Sequence, residues 1–196
     1  MGRRGGGGGV SDPAPLDAQG GHTPGDGPVG GRGKVCGGHS LGPPLRLARL
    51  NLYRIHDPRH DALSGTGAAL KGGRWNPRGL PVVYTSSAYE GTLLEALVHV
   101  EARRMPRGHV ASRIVLPDDC ELERLDGWQP PDWFDWTRSR RMGRAWADSL
   151  RSLALEVPSY VAQPWGRNVL LNPRHGDFGR VRVAEVVDVR WDPRMF

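Results

Sequence analysis

The chain has 196 residues, of which 38% are hydrophobic, and a formal net charge of +6 at neutral pH. This length suits one domain with a substantial core, and no apolar run is long enough to span a membrane. Cys36 and Cys120 are too few for a disulfide framework and do not suggest a metal site. No apolar stretch follows Arg3 and Arg4, which argues against a secretory signal. We therefore expect a cytoplasmic protein.

Residues 1–45 are rich in glycine and proline. Sixteen of the 28 glycines precede Arg46, and the segment contains few large apolar side chains. Such a segment cannot offset the entropy that it would lose on becoming ordered. We predict a disordered extension over residues 1–45 and one folded domain over residues 46–196.

An alternating pattern begins near Leu50, where "RLNLYRI" predicts a strand. A glycine-rich loop that reaches Gly73 is expected next, followed by a short strand over "PVVYT". Ser86 or Ser87 can cap the next helix, which should extend to about Val100. Its apolar stripe is predicted to comprise Leu93, Leu94, Leu97 and Val98.

The second half of the chain is again rich in strand patterns. "HVASRIVLP" and "CELERL" predict two strands, and the tryptophan-rich link "DGWQPPDWFDW" follows them. A helix is predicted from about Arg138 to Leu153, and three further strands are predicted in "LEVPSYVAQ", "NVLLNP" and "VRVAEVVDV". The buried side of this helix is expected to include Met142, Ala145, Trp146, Ser149 and Leu153. Strands on both sides of few helices predict a mixed α/β (α+β) domain and argue against a doubly wound sheet.

Basic residues cluster in "RSRRMGRAW", at the start of the second helix. Without a recognition motif beside it, a solvated helix face explains such a cluster better than nucleic-acid binding does. The alternative function is a basic wall that attracts the phosphates of a small substrate or an acidic partner.

The segment "GGRWNPRG" combines flexible backbone with a planar cation. Gly72 and Gly73 can bring N–H groups close to an anion, and Arg74 suits phosphate or carboxylate. The motif leads into a strand, so it is neither a dinucleotide fingerprint nor a Walker loop. A surface arginine in a turn is the simpler interpretation. Trp75 could stack on a base or simply fill the core.

Tyr84 and Glu95 are polar candidates on the next two elements. Tyr84 ends a strand, where its ring can pack while its hydroxyl reaches a cleft, although packing at the edge of the core is the simpler interpretation. Glu95 lies opposite the leucines in a strip with Gly91 and Thr92. A solvent-facing glutamate would explain that position, but these small neighbours would also allow a ligand or another element to approach.

Ser159, His175 and Asp177 would formally provide a serine–histidine–aspartate triad. We discount it because no segment resembles a nucleophile elbow. His175 and Asp177 also lack a third ligand at metal-site spacing, so no metal is expected.

The order of these segments resembles one family. "LYRI", "GGRWNPRGLPVVYTS", "LLEALVH", "VPS" and "NVLLNPRH" look like a RES domain from about Arg49 to Asp188, named for an arginine, a glutamate and a serine. The resemblance implies a fold similar to ADP-ribosyltransferases. It also implies degradation of NAD at the nicotinamide–ribose bond, by hydrolysis or phosphorolysis, and a role as the toxin of a toxin–antitoxin pair.

The resemblance also implies which residues form the site. Arg54, Arg74, Tyr84, Glu95 and Ser159 match the family's positions, and Asn172 matches a further one. We expect Glu95, Tyr84 and Arg74 to be catalytic, with Arg54, Arg74, Trp75, Ser159 and Asn172 binding substrate. NAD would be the substrate, with phosphate as a possible acceptor, and an Xre-like antitoxin would be the partner.

Two other functions remain open from the sequence. The same site could transfer ADP-ribose to a protein target. A basic nucleic-acid-binding module that has lost catalysis is the alternative from another class, although the presence of Arg54, Arg74, Tyr84 and Glu95 counts against a dead site. We expect neither membrane nor nucleic acid as a direct partner.

Overall fold

The computed structural model describes residues 45–46, 50–98, 107–125 and 135–196. Nearly all of the predicted extension over residues 1–45 lies outside these ranges, as does most of the tryptophan-rich link. The predicted boundary between residues 45 and 46 therefore stays a prediction.

The described residues form eight strands and three α-helices. The strands are β1 (Leu45–Arg46), β2 (Asn51–His56), β3 (Val83–Ser86), β4 (Val110–Val115), β5 (Glu121–Arg124), β6 (Ala154–Pro158), β7 (Arg167–Leu171) and β8 (Arg182–Asp188). The helices are α1 (Thr66–Lys71), α2 (Tyr89–Val98) and α3 (Trp136–Ser149). Two short 3-10 helices follow at Gly176–Arg180 and Pro193–Met195.

Within the described chain the strands form one sheet in the order β1-β5-β6-β7-β3-β2-β4-β8. Only the neighbours β5 and β6 run parallel there, and the other pairs are antiparallel. Every strand predicted from the sequence pattern is present. A doubly wound sheet needs successive parallel strands joined by crossover helices, so the predicted mixed α/β architecture is confirmed.

The sheet is covered on both faces by separate hydrophobic clusters. In β7, Val169 and Leu171 belong to one cluster with Leu52, whereas Leu170 belongs to the other with Trp75. Successive side chains of a strand point to opposite faces, so β7 reads as a continuous apolar run. β7 lies near the middle of the sheet, and its second residue, Asn168, lines the candidate site.

Helix α3 packs closely against the second hydrophobic cluster. Asp135 caps it by accepting from the backbone N–H of Arg138. Its buried residues are Ser139, Gly143, Trp146 and Ala147. A Cβ atom at Gly143 would overlap the carbonyl of Trp75, so glycine permits this approach and decides which face is buried.

Three details of the predicted α3 are therefore wrong. Ala145 and Ser149 are exposed instead of buried, and the helix ends at Ser149, before Leu153. Leu153 is buried in the first cluster, on the other side of the sheet from Trp146.

The region around α1 and α2 also departs from the sequence pattern. The predicted glycine-rich loop contains α1, which ends at Gly72 with a φ of 71°. In α2, Leu94 is 42% exposed and Val98 is 63% exposed, so the predicted apolar stripe does not form the buried face. Gly91 and Thr92 are buried instead. Because Gly91 and Thr92 are small, α2 packs directly on the sheet through them. The face that carries its leucines is therefore not the buried face.

None of the helices in the described part of the chain combines the length and hydrophobicity that crossing a bilayer requires.

Candidate active site

A pocket of about 280 Å³ lies between α2 and the strands β2, β3 and β7. Most of the residues that line it carry a polar group, although apolar atoms contribute much of the surface. The lining residues are Arg54, Ile55, Tyr84, Thr85, Ser86, Thr92, Glu95, Ala96 and Asn168. Sites for small molecules typically measure about 300–1,000 Å³, so this pocket suits one part of a larger ligand.

Glu95 reaches the pocket from α2. Gly91 and Thr92 are buried against the sheet, and residues three and four positions further along a helix share the same face. The Oε1 atom of Glu95 accepts hydrogen bonds from Asn168 Nδ2 at 2.7 Å and from Ser159 Oγ at 3.2 Å. Because Gly91 and Thr92 are small, other elements approach this face of α2 closely, and Glu95 is half-buried instead of facing solvent.

Ser159 follows β6 directly and is buried. Its backbone N–H donates to Gly166 O at 2.9 Å, and its Oγ accepts from the N–H of Ala162 at 3.2 Å. Both bonds close the loop between β6 and β7. The hydroxyl therefore has a fixed position, from which its proton is donated to Glu95.

Asn168 occupies the second position of β7, opposite Ser86 of β3 and Val157 of β6. Its Nδ2 donates to Glu95, whereas its buried Oδ1 accepts no hydrogen bond from the described part of the chain. This residue was not predicted as part of the site.

Tyr84 forms a wall of the pocket and connects it to the "GGRWN" segment. Its hydroxyl donates to Asn76 Oδ1 at 2.8 Å and accepts from the N–H of Trp75 at 3.0 Å. Burial raises the pKa of Tyr84 to about 12, so the phenol is neutral at physiological pH. A Cβ atom at Gly73 would lie 2.5 Å from this hydroxyl, which explains one glycine of the pair.

Arg74 lies against two aromatic rings. Its Cζ atom is 4.0 Å from the centroid of Tyr160 and 4.7 Å from that of Trp136. Burial lowers the pKa of Arg74, and the electrostatic effects of Tyr160, Glu95 and Tyr84 oppose that shift. An arginine remains charged under all physiological conditions. The positive charge of the Arg74 guanidinium therefore interacts electrostatically with the Glu95 carboxylate.

Arg54 contributes to the pocket lining from β2, but its guanidinium is bonded to the protein. Nη1 donates to Ala62 O at 2.6 Å and to Ser64 O at 3.0 Å. Burial lowers the pKa of Arg54, and Asp61 partly opposes the shift. In this conformation Arg54 anchors the segment that precedes α1.

Two predicted substrate-binding residues are buried among other protein groups, away from the pocket lining. Trp75 is 3% exposed and packs in the second hydrophobic cluster with Trp146. Asn172 is fully buried, where its Nδ2 donates to Ala147 O at 2.9 Å and its Oδ1 accepts from the N–H of Arg174 at 3.1 Å. The structure thus brings Arg54, Tyr84 and Glu95 to the pocket lining. Ser159 and Arg74 lie outside that lining, but Ser159 donates a hydrogen bond to Glu95 and Arg74 interacts with Glu95 electrostatically.

The discounted triad is not assembled. Ser159 bonds to Glu95, whereas His175 Nδ1 accepts from the N–H of Asp177 and caps a 3-10 helix. Among the described residues, no group of three or more histidine, cysteine, aspartate or glutamate side chains has the arrangement of a metal site.

Three residues of the site region were missed from the sequence. Trp136 and Tyr160 were unpredictable because they meet Arg74 only after distant segments pack together. Asn168 carried a weak signal, since it is the polar start of an otherwise apolar strand. On the alternation of β7 it shares a face with Leu170.

Comparison with known proteins identifies the family of this chain. Residues 51–192 match the family model described as "RES domain". A relative from Sphingobium sp. (strain YBL2), named "Prs ADP-ribosylating toxin", is 34% identical over 141 residues, covering 69% of this chain and 87% of the relative. A relative from Pseudomonas putida (strain KT2440), named "Toxin Res", is 36% identical over 136 residues, covering 68% and 92% of the two chains. The chain belongs to the RES domain family, and these relatives are toxins.

A solved structure shows the same fold. The match is to the M. tuberculosis MbcT–MbcA toxin–antitoxin complex, with a TM-score of 0.63 and 22% identity over 78% of this chain and 89% of the matched chain. At this identity the likeness shows the fold alone. The predicted ADP-ribosyltransferase-like mixed sheet is confirmed.

Proposed function

We propose that this protein is the toxin of a toxin–antitoxin pair and cleaves the nicotinamide–ribose bond of NAD. The observation that carries the proposal is the arrangement around Glu95. A single half-buried carboxylate lines the pocket, two donors hold one of its oxygens, and the charge of Arg74 interacts with it electrostatically.

One carboxylate is enough for this reaction. When the bond from ribose C1′ to the nicotinamide nitrogen breaks, the electron pair neutralises the pyridinium, so the leaving group needs no general acid. The ribose develops positive charge, which a fixed carboxylate stabilises. The oxygen of water or phosphate then forms the new bond to C1′, and the acceptor loses its proton. An ordinary glycosidase needs two carboxylates because its leaving group must be protonated.

The other predicted residues have roles that fit their positions. Arg74 would bind the pyrophosphate beside the pocket, because a guanidinium can form two parallel hydrogen bonds to phosphate. Tyr84 would pack against the nicotinamide or its ribose with its ring, since its hydroxyl already bonds Asn76 and Trp75. Ser159 would hold Glu95. Arg54 would bind phosphate through the N–H groups of Nε or Nη2, since Nη1 donates to Ala62 O and Ser64 O.

The test is nicotinamide release from NAD by purified wild-type protein and Glu95→Gln. The variant keeps the shape of the side chain but removes its charge, and we expect turnover to fall by about 100-fold or more. Glu90→Gln, on the exposed side of the same helix, is the matched control and should keep wild-type turnover. Equal turnover by wild type and Glu95→Gln would contradict the proposed role, and a folded wild type without nicotinamide release would contradict the function.

Transfer of ADP-ribose to a protein is the second candidate, favoured by the relative named "Prs ADP-ribosylating toxin". The two reactions share the first bond cleavage and differ in the acceptor. NAD labelled in the adenylate portion distinguishes them in a cell extract. Label on a protein band supports transfer, whereas free ADP-ribose or ADP-ribose phosphate supports degradation.

An Xre-like antitoxin is the proposed partner. The matched solved structure is a toxin–antitoxin complex, which supports a protein partner without identifying its type. Growth arrest on induction should be relieved by co-expressing the antitoxin gene adjacent to the toxin gene. Persistent arrest with a stably expressed neighbour would argue against that partner.

A further inference from the structure

We infer that Asn168 is a positioning residue that selects which oxygen of Glu95 faces the substrate. The inference rests on the proposed function, because it concerns the same carboxylate. It adds a residue that neither the sequence resemblance nor the comparisons assign.

The hydrogen bonds around Glu95 are asymmetric. Asn168 Nδ2 and Ser159 Oγ both donate to Oε1, and Oε2 receives no hydrogen bond from the described residues. An asparagine amide that faces a carboxylate must present its NH₂ group, since the carboxylate has no proton to donate. Two donors, one in β7 and one in the loop that follows β6, therefore fix the rotation of the carboxylate and leave Oε2 for the developing positive charge.

The Asn168–Glu95 bond is the shorter of the two. At 2.7 Å it lies in the range of charge-assisted hydrogen bonds, whereas the serine bond measures 3.2 Å. Ser159 also accepts a backbone hydrogen bond that closes its own loop. Asn168 has the more specific task, because its side chain makes a single hydrogen bond within the described residues, the one to Glu95.

The orientation of the Asn168 amide lowers the stability of the fold, which a residue with a purely structural role would not do. Turning Nδ2 toward Glu95 leaves Oδ1 buried without a partner in the described chain. A buried unsatisfied acceptor typically costs about 1–3 kcal/mol. Residues 169–171 of the same strand are apolar and fully buried, and backbone bonds to β3 and β6 hold the strand without this amide. Strain of this kind is typical of functional positions.

Asn168→Asp and Asn168→Ala separate positioning from packing. Aspartate keeps the shape but replaces the donor by an acceptor 2.7 Å from Glu95 Oε1, and two carboxylates in contact repel. Alanine removes both the donor and the unsatisfied oxygen. Asn51→Ala, on the exposed side of β2, is the control. The measurements are kcat and KM for nicotinamide release, the thermal midpoint Tm, and the orientation of Glu95 in crystal structures of wild type and variants.

We expect kcat to fall by about 10- to 100-fold in Asn168→Ala, with KM within about 3-fold, because a displaced catalytic group slows the chemical step. Asn168→Asp should lose more activity at neutral pH than Asn168→Ala. The Tm of Asn168→Ala should equal or exceed that of wild type, since the unsatisfied acceptor is gone. The Glu95 carboxylate should rotate or become disordered in both variants.

The inference is overturned if Asn168→Asp keeps wild-type kcat, or if kcat falls only in parallel with a lowered Tm. An unchanged Glu95 orientation in both variants would overturn it as well. That crystallographic readout needs no substrate, so it decides the inference even where wild-type protein releases no nicotinamide. Absence of release by the wild type counts against the proposed function alone.

Discussion

Tyr84 shows how one side chain can both line the pocket and hold a turn in place. Its ring lines the pocket, while its hydroxyl closes the turn that carries Arg74. A neutral phenol can donate to Asn76 and accept from Trp75 simultaneously. A phenolate has no proton to donate, so this arrangement requires the protonated form.

The Tyr84 hydroxyl should make stability depend on alkaline pH. Burial raises its pKa from the ordinary value of 10.0 to about 12, so the fold favours the protonated form. This contribution is complete below about pH 10 and is lost as the pH rises through about 12. Tyr84→Phe should be less stable than wild type at pH 8 by about 1 kcal/mol. The difference between the two proteins in urea unfolding should shrink between pH 10 and 12, and a constant difference would contradict this account.

At the scale of elements, α3 and the "GGRWN" segment are held together by close contacts. Arg140 Nε donates to Gly73 O at 2.8 Å, and Gly143 lies against the carbonyl of Trp75. This contact brings Trp136, at the start of α3, to Arg74. The helix therefore positions a residue beside the pocket without itself lining the pocket.

Gly143→Ala tests this packing. The added methyl group would overlap backbone that cannot rotate away, so we expect a loss of about 1–3 kcal/mol in the free energy of unfolding. Gly67→Ala is the matched control, because Gly67 is also helical and has no atom within 4 Å of an added Cβ. Alanine should leave stability unchanged or raise it there. Urea unfolding measures both, and equal effects at the two sites would contradict the packing argument.

The Arg74 guanidinium contacts the rings of Trp136 in α3 and of Tyr160 in the loop after β6. Tyr160→Ala should remove one of these contacts and leave Arg74 less firmly positioned. A cation–π contact of this exposure contributes about 0.5–1 kcal/mol, so KM for NAD should rise by about 2- to 5-fold. Tyr160→Phe retains the ring and should retain wild-type KM. If Tyr160→Ala left KM unchanged, the rings would not be what positions Arg74 for substrate.

At the scale of the whole molecule, the family match and the sheet occupy the same part of the chain. The matched residues 51–192 span β2 to β8, and β1 pairs with β5 through Leu45–Leu122 and Arg46–Glu121. We predict that a chain starting at residue 45 keeps the Tm and the nicotinamide release of the full chain. A lower Tm for the shortened protein, measured by calorimetry, would show that residues 1–44 contribute to the fold.

Local patterns were sufficient to predict the strands and the positions of the longer helices. The alternation in "RLNLYRI" and the apolar run in "NVLLNP" reflect burial of one or both faces of a strand, which is a property of adjacent residues. The arginine, tyrosine, glutamate and serine expected at the site came from the resemblance of short segments to the RES domain family. Arg54, Tyr84 and Glu95 line one pocket, and Ser159 donates a hydrogen bond to Glu95.

The orientation of helices and the partners of side chains were decided only by tertiary structure. The sequence pattern predicted that the leucines of α2 form its buried face. Instead, the small residues Gly91 and Thr92 on another face pack against the sheet, and this orientation places Glu95 at the pocket. Glu95 and Asn168 are 73 positions apart in the chain, and Arg74 and Tyr160 are 86 positions apart. No local period encodes such contacts, because they depend on which strands become neighbours in the sheet.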